Sequence, residues 1–221
     1  MIKELEKRIY SSIIILPLSL FFLIKGTVYF TFFLTILFFA TSYEWMNMCK
    51  KKMIYKVLGI IFLFFSFYTA YQLRNIVGIN SFLLIVLICI FTDIGGYIFG
   101  RLFKGPKLTK ISPNKTYSGA FGGFLLAVVA SLIYSYYVNS APWSHFPWKF
   151  LELTKNYETT FLIFVLIISL TSQIGDLIIS YFKRLAKIKD TGKIIPGHGG
   201  LLDRIDGLIF AIPISYLFII L

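Results

Sequence analysis

The stretch from Thr160 to Asp206, TFLIFVLIISLTSQIGDLIISYFKRLAKIKDTGKIIPGHGGLLDRID, decides how this chain folds. Up to Phe182 it is an apolar run of the length a membrane-spanning helix needs, about 20 residues. From Ser180 to Asp206 it carries nine formal charges, four glycines and one of the chain's two histidines, and a second apolar run follows. Six of those charges are basic (Lys183, Arg184, Lys187, Lys189, Lys193, Arg204) and three are acidic (Asp190, Asp203, Asp206). A turn between two spanning helices needs only a short polar link. This one is built to hold something anionic, together with a metal.

Outward from this stretch the rest of the chain is similar in kind. Of 221 residues, 57% are hydrophobic and 14% charged, and the mean hydropathy is +0.80. Those values place it among integral membrane proteins. The apolar runs predict an all-α, polytopic helical bundle of about seven transmembrane helices, near 9–24, 27–46, 54–73, 80–99, 118–138, 160–182 and 206–221. The first run lacks a small-residue cleavage site and leads directly into the second, so it is expected to stay attached. Cys49 and Cys89 have no metal-like spacing and are not expected to pair.

The basic residues orient the bundle. With the N-terminus cytoplasmic, 18 of the 22 Lys and Arg fall on the cytoplasmic side, leaving only Lys25, Arg74, Lys149 and Lys155 outside. Lys and Arg resist translocation, so this asymmetry predicts that orientation. The net charge of +12 is then a topology signal rather than an argument for nucleic acid. It also biases the cytoplasmic loops toward anionic headgroups and phosphates. The far-side loop 139–159, with its aromatics, prolines and His145, is expected to rest at headgroup level.

Glu44, Asp93 and Asp176 lie inside apolar spans, all near the ends that this topology makes cytoplasmic. An Asp at a helix centre costs about 2.5–3.5 kcal/mol on insertion scales, so such acids face a polar interior or a wet cavity. For one acid alone a structural ion pair would be the better account. Three at one depth beside basic loops favour function. Ser172, Asp176, Ser180, Lys183 and Lys187 recur at helical spacing and draw one polar stripe, which includes Lys187 only if the helix outlasts the membrane edge. At a rise of about 1.5 Å per residue, Asp93 and Asp176 should sit roughly 10–12 Å below the basic loops that follow them.

The second polar element is TDIGGYIFGRLFKGPKLTKISPNKTYSGAFGG, Thr92 to Gly123. Gly95, Gly96, Gly100, Gly119 and Gly123 have the spacing of closely packed membrane helices, and packing is their default explanation. Small-xxx-small spacing also permits a homodimer without requiring one. The turn Ser112-Pro113-Asn114-Lys115-Thr116 offers hydroxyls, an ammonium and exposed amides, the groups that hold phosphate oxygens. Pro196-Gly197-His198-Gly199-Gly200 gives a loop whose amides can approach a polyphosphate without side-chain obstruction. It is not a Walker A loop and no GxGxxG is present. Asp203 and Asp206 are three apart and can face one way if helical. Hard carboxylates without Cys or His partners suit Mg²⁺.

Together these residues closely resemble the phosphatidate cytidylyltransferase (CDP-diacylglycerol synthase) family. The family pattern is met by Ser180, Phe182, Lys183, Arg184, Lys189, Asp190, Gly192, Pro196, His198, Gly199, Gly200, Asp203, Arg204 and Asp206. Gly175-Asp176-Leu177 and Ser112-Pro113-x-Lys115-Thr116 also look like the family's, so the resemblance covers roughly the C-terminal 60% of the chain. Tyr117 and Ser118 depart from it, standing where the family more often shows Trp and Glu.

The resemblance implies a nucleotidyltransferase that joins CTP and phosphatidate, giving CDP-diacylglycerol and pyrophosphate in phospholipid biosynthesis. The alternative is a related membrane cytidylyltransferase or kinase acting on an isoprenoid lipid. Under the first reading the catalytic residues are Asp176, Lys183, Arg184, Asp203 and Arg204. Ser112, Lys115, Thr116, Ser180, Lys189, His198, Gly199 and Gly200 bind substrate. Asp176 and Asp203 take a divalent metal, Mg²⁺, with Asp206 and Asp93 as further ligands or outer support and a second cation left open. The chain is expected to form a single membrane domain over 1–221, with N-terminal helices over 1–79 and the catalytic helices and loops over 80–221. Its expected place is the inner (plasma) membrane, with the active site on the cytoplasmic side. A transporter would carry its acids at mid-membrane in repeated halves, and no repeat is visible here.

Overall fold

The apolar runs become helices where the hydropathy puts them. The structure is a computed structural model describing residues 2–50, 52–109, 111–138, 157–197 and 199–220. Among these, the helices are α1 (Ile2–Lys25), α2 (Thr27–Met48), α3 (Met53–Ile76), α4 (Ile79–Phe103), α5 (Tyr117–Tyr137), α6 (Tyr157–Leu185), α7 (Leu202–Ile205) and α8 (Leu208–Ile220). No β-strand occurs among the described residues, only isolated bridges between Lys107 and Thr116 and between Ile195 and Gly199. Five helices, α2 to α6, are long and apolar enough to cross a membrane, and shorter apolar helices lie at Ile13–Lys25 and Leu208–Ile219. The chain is a multi-pass helical membrane protein. The headgroup-level reading of the 139–159 loop, with His145, falls almost wholly on 139–156, outside the described residues.

In lipid the helices gain little from hydrophobic exclusion of one another, so contact depends on close packing. The α4–α5 pair shows how. A Cβ on Gly95 would run into the Gly122 carbonyl, one on Gly119 would lie 2.7 Å from the Gly96 carbonyl oxygen, and one on Gly123 2.9 Å from that of Thr92. The glycine spacing therefore serves backbone-on-backbone contact within this chain. Thr92 and Ser169 then tie α4 to α6 through hydroxyls 2.7 Å apart, and the Ser66 hydroxyl of α3 donates to the Ile209 carbonyl of α8 at 2.8 Å. Inside a bilayer such groups need protein partners, because no water is at hand.

Two apolar clusters fill the bundle. One joins α2, α3, α4, α6 and α8 through Phe30, Leu73, Ile85, Ile88, Phe164, Ile168 and Ala211. The other lies toward the charged loops and contains Trp45, Leu63, Ile179, Leu202 and Ile209. Trp45 closes it, with its indole N–H on the Tyr55 carbonyl at 2.9 Å and its ring edge-on to Phe182 at 4.8 Å. This second cluster is the base on which the polar loops stand.

Candidate active site

The loop between α4 and α5 is folded back on itself. α4 stops at Lys104, whose left-handed φ of 46° ends the helix. The Leu108 amide donates to the Lys115 carbonyl at 2.7 Å, and the Tyr117 amide to that of Pro106 at 3.1 Å. Thr116 caps α5, its hydroxyl accepting from the Gly119 amide at 3.1 Å. The result aims Lys115 down into the bundle. Its Nζ lies 2.5 Å from Asp176 Oδ2 on α6. Helical rise alone would leave Asp176 well below any basic loop; the refolded turn closes that gap.

Asp176 is steadied by the next turn of its own helix, where the Ser180 hydroxyl donates to Oδ1 at 3.3 Å. The polar stripe therefore exists, but it ends at Lys183. α6 terminates at Leu185, with the Ile188 amide on the Lys183 carbonyl at 3.0 Å and Lys187 at φ 57°. That is a helix stop of the Schellman kind with lysine in the left-handed position. Lys187 leaves the stripe.

Between α4, α5 and α6 the Lys115–Asp176 pair borders a cavity of about 320 Å³. Asp93, Ser112, Asn114, Thr116 and Gln173 also line it. The Thr92–Gly123 element and the α6 residues Gln173 and Asp176 thus share one concavity with acid, ammonium and hydroxyl groups around it.

The loop from α6 to α7 is organised by two carboxylates. Asp203 Oδ2 accepts from the Thr191 amide at 2.8 Å and the Gly200 amide at 3.1 Å, while Oδ1 takes Lys183 Nζ at 2.8 Å. The second carboxylate comes from far away in sequence. Glu44 of α2 is 1% exposed and accepts from the Thr191 hydroxyl at 3.0 Å and from the Leu201 and Leu202 amides at 3.0 and 2.8 Å. A Cβ on Gly192 or Gly200 would collide with this carboxylate. These glycines leave room for Glu44 and Thr191, and the Gly200 amide is committed to Asp203. Gly199 supplies a left-handed turn at φ +87°, and its carbonyl accepts from the Ile195 amide at 3.0 Å.

Asp203 and Asp206, expected to act side by side, are divided. Asp206 takes the Gly207 amide at 2.8 Å. Enclosure lifts its carboxyl well above the usual carboxylate range, the charge of Asp176 pushes the same way, Lys183 opposes, and Asp93 adds a smaller push upward. Asp206 therefore feels the negative charge of Asp176 and Asp93. A divalent cation would relieve that repulsion, and oxygen donors of this kind suit Mg²⁺. Among the described residues no three His, Cys, Asp or Glu are grouped closely enough to form a complete metal centre. The donor set fits an ion that takes one or two carboxylates and completes its shell with water and substrate phosphates. The Asp203 oxygens hold Lys183 and two loop amides, and the Asp176 oxygens hold Lys115 and Ser180.

Arg184, Lys189 and Arg204 are exposed. His198 lies outside the described residues. The residue that sequence reasoning left out of the site was Glu44, though its place as an acid in an apolar span was the signal.

Residues 51–221 match the cytidylyltransferase family. A phosphatidate cytidylyltransferase of Rickettsia felis is 33% identical over 221 residues, covering 97% of this chain and 92% of that protein. One from Rickettsia bellii is 40% identical over 181 residues, 78% of this chain and 72% of that protein. One from Staphylococcus epidermidis is 38% identical over 164 residues, 74% of this chain, and the match spans only 55% of the relative's own length. On the extent of these matches and the residues they enclose, the chain belongs to the cytidylyltransferase family.

Proposed function

We propose that this protein transfers a cytidylyl group from CTP to phosphatidate, producing CDP-diacylglycerol and pyrophosphate. The observation that carries the reading is the Lys115–Asp176 contact, which sets the ammonium of the Ser112–Thr116 loop on an α6 carboxylate at the edge of one cavity. Relatives that are phosphatidate cytidylyltransferases support the same reading.

The chemistry suits the residues. The nucleophile is a phosphate oxygen of the lipid, already anionic near neutral pH, so no strong base is needed. It attacks the α-phosphorus of CTP, and the bond to the β-phosphate bridging oxygen breaks as pyrophosphate leaves. The difficulty is to bring two polyanions together and to stabilise charge on the departing group. Lys115 and Lys183 supply ammonium groups at the cavity and beside it, and Arg184, Lys189 and Arg204 extend the positive surface toward the cytoplasm. Asp176, with Asp93 or Asp206 as a second carboxylate, would hold Mg²⁺, whose charge, when bound, offsets that of the phosphates. Asp203 fixes Lys183 and the glycine-rich loop. CTP arrives from the cytoplasm and the lipid from between the helices. This reading takes the N-terminus as cytoplasmic, with the protein in the plasma membrane.

The test is product identification with purified protein, labelled CTP and either phosphatidate or an isoprenoid alcohol or phosphate. Labelled CDP-diacylglycerol from phosphatidate alone is expected. A nucleotide or phosphoryl adduct formed only on the isoprenoid would replace this reading with the alternative.

A further inference from the structure

Glu44 lies before residue 51, where the family match begins, yet its hydrogen bonds go to the loop that carries the family's most distinctive residues. The partners, Thr191, Leu201 and Leu202, stand 147 to 158 positions later in the chain. Each carboxylate oxygen is engaged. Oε1 takes the Leu201 amide, and Oε2 takes the Leu202 amide and the Thr191 hydroxyl. The bare α-carbons of Gly192 and Gly200 make the space it fills.

Thr191 serves two masters, with its hydroxyl on Glu44 and its amide on Asp203. Gly200 donates to Asp203, and the next two amides donate to Glu44. A continuous path therefore runs from α2 through Glu44 and the loop to Asp203, and on through Lys183 to α6, seven residues beyond Asp176. Packing alone would be met by an apolar side chain. A buried carboxylate that gathers three donors sets the conformation of the segment supplying them, because charge-assisted bonds are strong and a stranded partner is costly.

We propose that Glu44 is a positioning residue for the candidate site, holding 190–203 in the conformation that presents Asp203 and Lys183 beside the Asp176 cavity. It acts through the loop and touches no reacting atom. Only the kinetic arm of its test rests on the proposed function.

The experiment compares full-length wild type, Glu44→Gln, Glu44→Asp and Thr191→Val in detergent micelles. Amide hydrogen exchange is followed over peptides covering 190–203, with α4 and α5 peptides as the internal control, beside kcat and KM for CTP. Losing charge-assisted bonds should speed exchange over 199–203 in Glu44→Gln by about tenfold or more while α4 and α5 keep their protection. KM for CTP should rise by about tenfold, more than kcat falls, because the loop that meets the nucleotide is loosened. Glu44→Asp should recover part of both. Thr191→Val removes one bond and should move both in the same direction by less; it carries the test if Glu44→Gln does not fold. Unchanged exchange over 199–203 in the folded variants overturns the proposal. So does equal loss of protection in α4 and α5, which would make Glu44 a prop of the whole bundle. Faster loop exchange with unaltered kinetics also overturns it. A wild type that turns over no CTP, with the loop loosened in Glu44→Gln, overturns the proposed function and supports Glu44's hold on the loop.

Discussion

Lys115 Nζ and Asp176 Oδ2 meet at 2.5 Å, one from a refolded loop and the other from α6. Their side chains keep 26% and 27% exposure. A partly exposed pair contributes little to stability, on the order of 1 kcal/mol or less. Its value lies in where it puts the two charges. Lys115→Met should therefore lower cytidylyl transfer by about 100-fold or more, the scale of removing a group aimed at developing charge. The thermal midpoint should move by only a few degrees, about what such a small energy change gives. Steady-state rates beside a melting curve check this, and unchanged turnover would remove Lys115 from the phosphate set.

Metal binding is tested without turnover. An ion that binds the folded state raises the melting temperature, with about 2.7 kcal/mol gained at 100 times its dissociation constant. Mg²⁺ should stabilise wild type, and Asp176→Asn and Asp206→Asn should each blunt the shift. A full shift in both variants would contradict the assignment.

The α4–α5 contact gives a paired packing prediction. Gly95→Ala puts a methyl group against the Gly122 backbone, whereas the nearest atom to a Cβ on Gly96 is 3.8 Å away. Gly95→Ala should cost about 1–3 kcal/mol, the usual range for overpacking. Gly96→Ala should be close to neutral. Thermal unfolding in micelles separates the two, and equal effects would count against the backbone contact.

Orientation is open to chemical labelling. Cys49 and Cys89 are buried, so cysteines placed at exposed positions give the readable signal. With a cytoplasmic N-terminus, Lys107→Cys should react with an impermeant maleimide only from the cytoplasmic face, and Lys25→Cys only from the opposite one. The reverse pattern would invert the bundle.

The parts legible in the sequence were those with local periodicity. Ser180 and Lys183 follow Asp176 at helical spacing, and α6 does set Ser180 against Asp176. The α4 and α5 glycines announced close packing, and the structure spends them on it. Contacts set by distant residues were not legible. Nothing near Glu44 reveals that its donors lie more than 140 positions later, so it read as one more acid at membrane depth. The split between Asp203 and Asp206 depends on Thr191, Gly200 and Lys183 drawing only the first into the loop. The span predicted to end at 182 does end nearby, at Leu185, but Lys187's place in the stripe stayed open, because a lysine occupies the left-handed position where glycine is the usual signal.

The central claim is that the cavity at Lys115 and Asp176 carries cytidylyl transfer to phosphatidate. The direct measurement is CDP-diacylglycerol formed per minute from labelled CTP and phosphatidate, with Mg²⁺ present, by purified wild type and by Asp176→Asn of matched stability. The account predicts robust product from wild type and a loss of about 100-fold or more in the variant. Equal rates from the two proteins would contradict it.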